Sequence, residues 1–409
     1  MKKMSCESRS EYISVQKRRY QRAGKPYKTR LLDEVCEVCG YERKYATKLL
    51  NGRRKPSKNK RGRKSEYNDP NLIKALKTIW MRSGQMCGKR LQPAINHWLK
   101  HYEKHYGKLS SECREKLLKI SPASIDRLLK PFKAQAKRKR NTGTKPGTLL
   151  KNQIPIRTSN EDVDRPGYLE ADTVAHCGGS MSGSFIWSIT YTDIKSTWTV
   201  TRAVWNKGFE GVVNQTCDVE SKLPFAILGF DCDNGSEFLN HHLKRYLLNR
   251  KQPVHFTRSR AYHKNDNAHV EQKNWTHVRE LLGYERLENP AMLKELNALY
   301  LDWEKLNNFF KPSLKRVSKV RVKSRYKKKY DTPQTPFDRL KASGILSKEQ
   351  TAALQREYES LDPFELDKRI QRRLRKIEKM KQSGGPAAVG NPRVPDCQPP
   401  LTTFQSTGT

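Results

Sequence analysis

The chain has 409 residues, and its 82 Lys and Arg against 42 Asp and Glu give a formal net charge of +40. That is far beyond what solubility needs, and it points to a polyanionic partner, of which nucleic acid is the commonest. The length suggests two to four domains, and no run of about 18 apolar residues appears, so no membrane span is expected.

The charge is unevenly spread: residues 1–160 carry a net +30, residues 161–290 a net −2, and residues 291–409 a net +12. A near-neutral centre between basic arms suggests a middle segment that needs carboxylates. The N-terminus, MKKMSCESRSEY, has no apolar stretch behind its basic residues and does not read as a secretory signal. The nine cysteines are odd in number and scattered from Cys6 to Cys397. They fit reduced thiols in a cytoplasm better than a disulfide framework.

From Lys28 to Cys39, Leu31, Leu32, Val35 and Cys36 fall at helical spacing. A turn at Gly40-Tyr41 and a short basic helix over Glu42–Leu50 follow, closed by Asn51-Gly52. Helix, glycine turn and basic helix form the pattern of a helix-turn-helix, with Arg43, Lys44, Thr47 and Lys48 facing a DNA groove. This unit spans 1–53, and a basic linker spans 54–69. Within the linker, Arg61 and Arg63 suit an A·T minor groove.

A second helical unit is expected at 70–135, with Leu72, Leu76, Ile79 and Trp80 and then Leu91, Ile95, Trp98 and Leu99 at helical spacing. Its last helix opens at Ser121 with Pro122 in the first helical position and reads as another recognition helix, presenting Ser124 and Arg127. A basic linker over 136–160 follows. Cys36-x-x-Cys39 and the row His97, His101 and His105 have ligand-like spacing, but they lie too far apart in sequence for a usual zinc site. Core cysteines and a surface histidine row are expected instead.

Residues 161–290 change character. Strands are expected near 168–174, 185–192, 197–205, 226–230 and 254–257, with helices near 209–223, 238–249 and 268–282. Three strands in succession, then alternating helix and strand, describe a five-stranded mixed sheet with helices on its faces. Asp172 lies inside an apolar strand, Asp231 and Asp233 end the fourth, and Glu271 opens the last helix. A carboxylate in a strand core is costly unless paired or metal-bound. Strand ends and helix starts converge at one sheet edge, so these acids can share a site. Carboxylates without a His or Cys cage favour Mg²⁺ or Mn²⁺ over zinc.

The runs LEADTVAH, FDCDNGSEF and NDNAHVEQ resemble the catalytic domain of the retroviral-integrase superfamily, and the whole chain resembles bacterial insertion-sequence transposases of that group. The resemblance implies a ribonuclease-H-like fold with an Asp172, Asp233 and Glu271 triad holding two Mg²⁺ or Mn²⁺ ions. It also implies a DNA transposase that cleaves at element ends and joins the 3′-hydroxyls to target DNA, in DNA integration and recombination. Asp231 competes with Asp233, since residues two apart on a strand point the same way; the family pattern sets the acid directly before Asn-Gly, which selects Asp233. Asp231 is then expected behind the triad, and Asp193, Asn267 and His269 are candidates for its rim, each expected to hold a turn, cap a helix or position DNA rather than bind metal.

The partners implied are double-stranded DNA, at element ends and target, and further copies of the chain in a dimer or larger assembly on DNA. The setting implied is a bacterial cytoplasm. A catalytically decayed DNA-binding regulator and a metal-dependent nuclease are the alternatives. Residues 291–381 read as a basic helical C-terminal region, in which Lys315–Lys329 suits a DNA backbone or target DNA. Residues 382–409 read as a disordered tail.

Overall fold

The computed structural model describes residues 5–52, 66–133, 163–206, 208–233, 235, 237–259, 268–322 and 325–382. Arg61, Arg63, Asn267, the side chain of His269, residues 136–160, most of 54–69 and the tail from 383 lie outside the described residues. The chain divides into two compact units, Met1–Glu66 and Tyr67–Thr409.

The first unit contains α1 (Cys6–Arg22), α2 (Lys25–Cys39) and α3 (Arg43–Leu50). Gly40 ends α2 with φ 66°, a left-handed cap that glycine adopts without a Cβ penalty. The turn lets α3 fold back, and Tyr20, Leu31, Leu32, Val35, Ala46 and Leu50 make a small core. Cys39 is buried, and Cys36 is half-buried against this core.

The second unit opens with four helices: α4 (Pro70–Arg82), α5 (Gly88–Tyr106), α6 (Ser111–Lys119) and α7 (Pro122–Lys133). Asp69 caps α4 with Pro70 in the first turn, and Ser110 caps α6. The sheet follows, built from β1 (Tyr168–Ala175), β2 (Ile186–Asp193), β3 (Thr199–Trp205), β4 (Gly229–Cys232) and β5 (His255–Arg258) in the order β3-β2-β1-β4-β5. The β1–β2 and β2–β3 pairs are antiparallel, while β1–β4 and β4–β5 are parallel. Every residue of β2 is buried, as a strand covered on both faces requires. Helices α8 (Phe209–Lys222) and α9 (His241–Leu248) make the crossovers to β4 and β5.

After β5, α10 (Ala268–Lys273) runs into a π-helical turn (Asn274–Arg279) and then α11 (Glu280–Leu282). The long α12 (Met292–Phe310) leads to a hairpin of β6 (Arg316–Val322) and β7 (Arg325–Tyr330), then to α13 (Pro336–Ala342), α14 (Lys348–Ser360) and α15 (Pro363–Gln382). The C-terminal region expected to be helical thus contains a two-stranded element. Only Val320 and Val322 keep the strand period, and the register shift between Arg316 and Ser318 puts Val317 out of step, so the alternation in RVSKVRV is too short to displace a helical reading.

The helices over 70–133 share one core with the sheet rather than standing apart. Trp98 is fully buried, donates its indole N–H to the Phe310 carbonyl at 2.9 Å, and meets Phe310 and Phe364 edge to face. The histidine row expected on the surface is enclosed by the same packing. His97 faces Asp338 and Tyr358, and His101 and His105 face Asp362. Three imidazoles, four residues apart along α5, therefore meet carboxylates from the C-terminal helices.

Candidate active site

Strand β1 sends alternate side chains to opposite faces, so Glu170 and Asp172 share one face. Its parallel partner β4 aligns Glu170 with Asp231 and Ala171 with Cys232. Asp172 and Asp233 each directly follow the last residues of that register, Ala171 and Cys232. Two rows of acids result, an inner Glu170–Asp231 row and an outer Asp172–Asp233 row.

The inner row is buried and structural. Glu170 has no exposed surface and accepts the backbone N–H of Val270 at 2.9 Å, which ties the first turn of α10 to the sheet. Asp231 is equally buried and accepts from the Thr257 hydroxyl at 2.8 Å, bridging β4 to β5.

The outer row is less deeply buried, Asp172 and Asp233 both being partly exposed. Asp172 is half-buried; its Oδ1 accepts its neighbour's N–H at Thr173, and its Oδ2 accepts the Asn274 amide at 2.7 Å. Burial, and then the negative charge of Asp233, push the Asp172 carboxyl well above the usual carboxylate range; Glu271 and Glu237 act in the same direction, and the Thr173 N–H opposes them. Three other carboxylates thus bear on Asp172 at the end of the sheet. Asp233 Oδ1 accepts the Gly235 N–H at 2.9 Å, which shapes the turn after β4. Glu237 is buried and accepts the Thr173 hydroxyl at 2.8 Å. Glu271 is exposed on the first turns of α10.

Among the described residues, no three His, Cys, Asp or Glu side chains form a closed cage able to hold a metal ion. The donor set nevertheless fits a hard divalent cation: it is all oxygen, and the crowding that raises Asp172 is what a cation relieves.

Two participants escape a reading of the sequence. Glu237 stands in DNGSEF, two residues behind Gly235, but no spacing rule ties it to β1. Asn274 lies three residues after Glu271, on the same helical face, and that offset is its only signal. Asp193 sits away from this centre, accepting the Gly167 N–H and the Ser196 N–H and hydroxyl to hold the β2–β3 turn.

The residues expected to contact DNA are placed variously. Arg43, Lys44 and Lys48 are exposed on α3, and Arg43 pairs with Asp33 of α2. Thr47 is half-buried and donates its hydroxyl to the Arg43 carbonyl at 2.7 Å. Ser124 turns inward on α7, where its hydroxyl accepts from Ser121 and from the Arg127 guanidinium at 3.0 Å each. No helix of the described residues is long and apolar enough to cross a membrane.

No family model matches the sequence. Among solved structures, a chain of the simian T-cell lymphotropic virus intasome in complex with PP2A regulatory subunit B56 gamma aligns at 13% identity and a TM-score of 0.25. The alignment covers 45% of this chain and 59% of that one, too loose a likeness to assign the fold. Among curated proteins, the uncharacterized protein y4rM of Sinorhizobium fredii is 36% identical over 344 residues, spanning 83% of this chain and 96% of that protein. The chain belongs to the family of y4rM.

Proposed function

We propose that this protein is a transposase, a DNA-cleaving and DNA-joining enzyme whose second unit is a ribonuclease-H-like catalytic core. The observation that supports it most is the outer acid row. Asp172 and Asp233 meet at the parallel β1–β4 pair, and Glu271 bears on the same raised Asp172 carboxyl. Asp172, Asp233 and Glu271 would hold the divalent cations, whose chemistry there would be activation of the attacking oxygen and neutralisation of the leaving one.

The protein's own part is positioning. Asn274 fixes the Asp172 carboxylate by hydrogen bonding to one oxygen, which keeps a second lone pair for a further partner. Glu170 anchors the helix that presents Glu271. Thr173 ties Glu237 to β1, keeping a further negative charge beside the site. The substrate is double-stranded DNA at element ends and target. Since one chain carries one triad, joining two ends calls for at least two copies on DNA.

Asp172→Asn, Asp233→Asn and Glu271→Gln each change one oxygen to nitrogen with little change in volume. Each is expected to abolish Mg²⁺- or Mn²⁺-dependent nicking and strand transfer while leaving DNA binding intact. Nicking at the wild-type rate by Asp233→Asn, with Asp231→Asn inactive, would move the second ligand to Asp231. Nicking without any joining would reduce the reading to a nuclease.

A further inference from the structure

The β6–β7 hairpin is a sheet of two strands that no third strand joins among the described residues. From Lys315 to Tyr330 its sequence holds nine Lys and Arg and no Asp or Glu. Val317, Val320 and Val322 are each more than half exposed, and Tyr330 is nearly so. A two-stranded ribbon alone is marginal in water, so its mount matters.

That mount is built and buried. Arg339 of α13 is 9% exposed and donates from Nη2 to the Ser313 carbonyl at 2.7 Å and to Asp331 at 2.9 Å. Its Nη1 reaches the Ser313 hydroxyl at 2.6 Å and the Thr197 hydroxyl at 3.1 Å. Ser313 and Gln334 exchange backbone hydrogen bonds, and Asp331 closes onto Lys315 through both backbone and side chain. One guanidinium therefore clamps both legs of the hairpin to the β2–β3 turn. The ribbon stands on a fixed base, and Val320, Val322, Arg325, Lys327 and Lys329 on one of its faces are exposed.

We propose that this ribbon is an arm that lies in the major groove of duplex DNA. The inference rests on the reading above, in which DNA is the substrate. Charge selects the partner class: nine cations without one anion match a phosphate backbone. The alternative of pairing with a strand of another protein is opposed by the ribbon's edges, since Lys-rich edges discourage strand addition.

Shape selects the groove. The major groove of B-DNA, about 12 Å wide, admits a two-stranded ribbon, whereas the major groove of A-form RNA is too deep and narrow for side chains to read. A seven-residue strand reaches roughly 20 Å, over half a helical turn of DNA. Register then assigns a face. Val320 pairs with Lys327 and Val322 with Arg325, so these four point the same way. Such a face offers methyl groups to thymine methyls, with cations alongside for phosphates or guanine edges.

The test uses the full chain and a fluorescent duplex of about 30 base pairs, long enough for the roughly 20 Å ribbon and the rest of the protein, titrated by anisotropy at several salt concentrations. The variants are a triple (Arg325→Ala, Lys327→Ala, Lys329→Ala) and a double (Val320→Ser, Val322→Ser). All five side chains are exposed, so melting temperatures should match the wild type. The triple variant should flatten the slope of log affinity against log salt by about 2.7, at about 0.9 for each phosphate it no longer neutralises. The double variant should keep the slope and lose discrimination between A·T-rich and G·C-rich duplexes.

A triple variant with the wild-type slope overturns the arm alone. Equal affinity of the wild type for double-stranded RNA overturns the groove assignment. DNA binding that flattens as expected, in a protein that never nicks, keeps the arm and removes the catalytic reading. A wild type that binds no duplex removes both.

Discussion

Asn274 and Asp172 are 102 residues apart in sequence, yet the amide of one donates to the carboxylate of the other at 2.7 Å. The contact ties the helix that bears Glu271 to the strand that bears Asp172, so two members of the acid cluster are set against each other by a third residue. Asn274 opens a π-helical turn, and its own carbonyl oxygen is buried with no partner among the described residues. Such turns often occur at functional sites.

Asn274→Ala should leave the fold intact and slow metal-dependent nicking by about 10- to 100-fold, the usual cost of losing a group that orients a ligand. The loss should be partly recovered by raising the Mn²⁺ concentration, because orientation and not ligand number has changed. Nicking at the wild-type rate at low metal would remove Asn274 from the site.

Glu170 makes a second such tie, from β1 to the Val270 N–H. Glu170→Ala leaves that donor without its carboxylate, at a cost of about 1–3 kcal/mol, and frees the turn that carries Glu271. Both the melting temperature and nicking should fall. Glu170→Gln keeps a carbonyl to accept the bond and should regain part of each. If the alanine variant melts and nicks like the wild type, Glu170 does not hold the helix.

Asp172 stands out in the sequence because carboxylates are rare inside apolar strands, whereas Asp233, just past the end of β4, is set apart from Asp231 only by the resemblance. Glu170 escaped notice although it is two residues from Asp172 and shares its face; a second acid in the same strand reads as a solvated edge until β4 and α10 are seen to cover it. The fourth strand begins at Gly229, later than the apolar run from Ala226 suggests. A Cβ at Gly229 would lie 2.3 Å from the Tyr168 ring, so this glycine marks where β4 can approach β1. The five strands, their order of appearance and the helices between them followed from periodicity. The sharing of one core by α5 and α12 did not, because Trp98 and Phe310 are 212 residues apart and nothing local couples them.

His176 follows Ala175 at the end of β1 and is fully buried, 2.8 Å from the Ser188 hydroxyl, which lies 2.5 Å from the Tyr300 hydroxyl. Burial, aided by the positive charges of Arg279 and Lys381, lowers its imidazole to about 3. The unfolded chain protonates His176 near 6.5 while the folded one does not, so the unfolded state binds more protons between these values. Stability from this residue is therefore complete above about pH 6.5 and falls as pH drops toward about 3. At about pH 5 the loss is about 2 kcal/mol. His176→Gln should lower the melting temperature less between about pH 7 and about pH 5 than the wild type loses, by a few degrees. Parallel declines in both proteins would show that His176 is protonated in the fold.

The helical periodicity and charge of residues 1–135 suggest a terminal-DNA recognition block separable from the sheet. The structure ends its first compact unit at Glu66. Beyond it, Leu91, Ile95 and Trp98 are fully buried in a core continuous with Leu296, Leu299 and Phe310. A chain cut after 135 strips these side chains of their partners from α12 and α15, including the edge-to-face contact of Trp98 with Phe364. Exposed apolar surface of that size drives association. A fragment of residues 1–135 should therefore aggregate or bind a hydrophobic dye. The fragment 67–409 should instead melt cooperatively within a few degrees of the intact second unit. The first unit alone, with a core of six buried side chains, should be helical but weakly stable. Circular dichroism melts and size-exclusion chromatography on the three fragments separate these outcomes. A monomeric, cooperatively melting 1–135 fragment would show that α4 to α7 fold without the sheet.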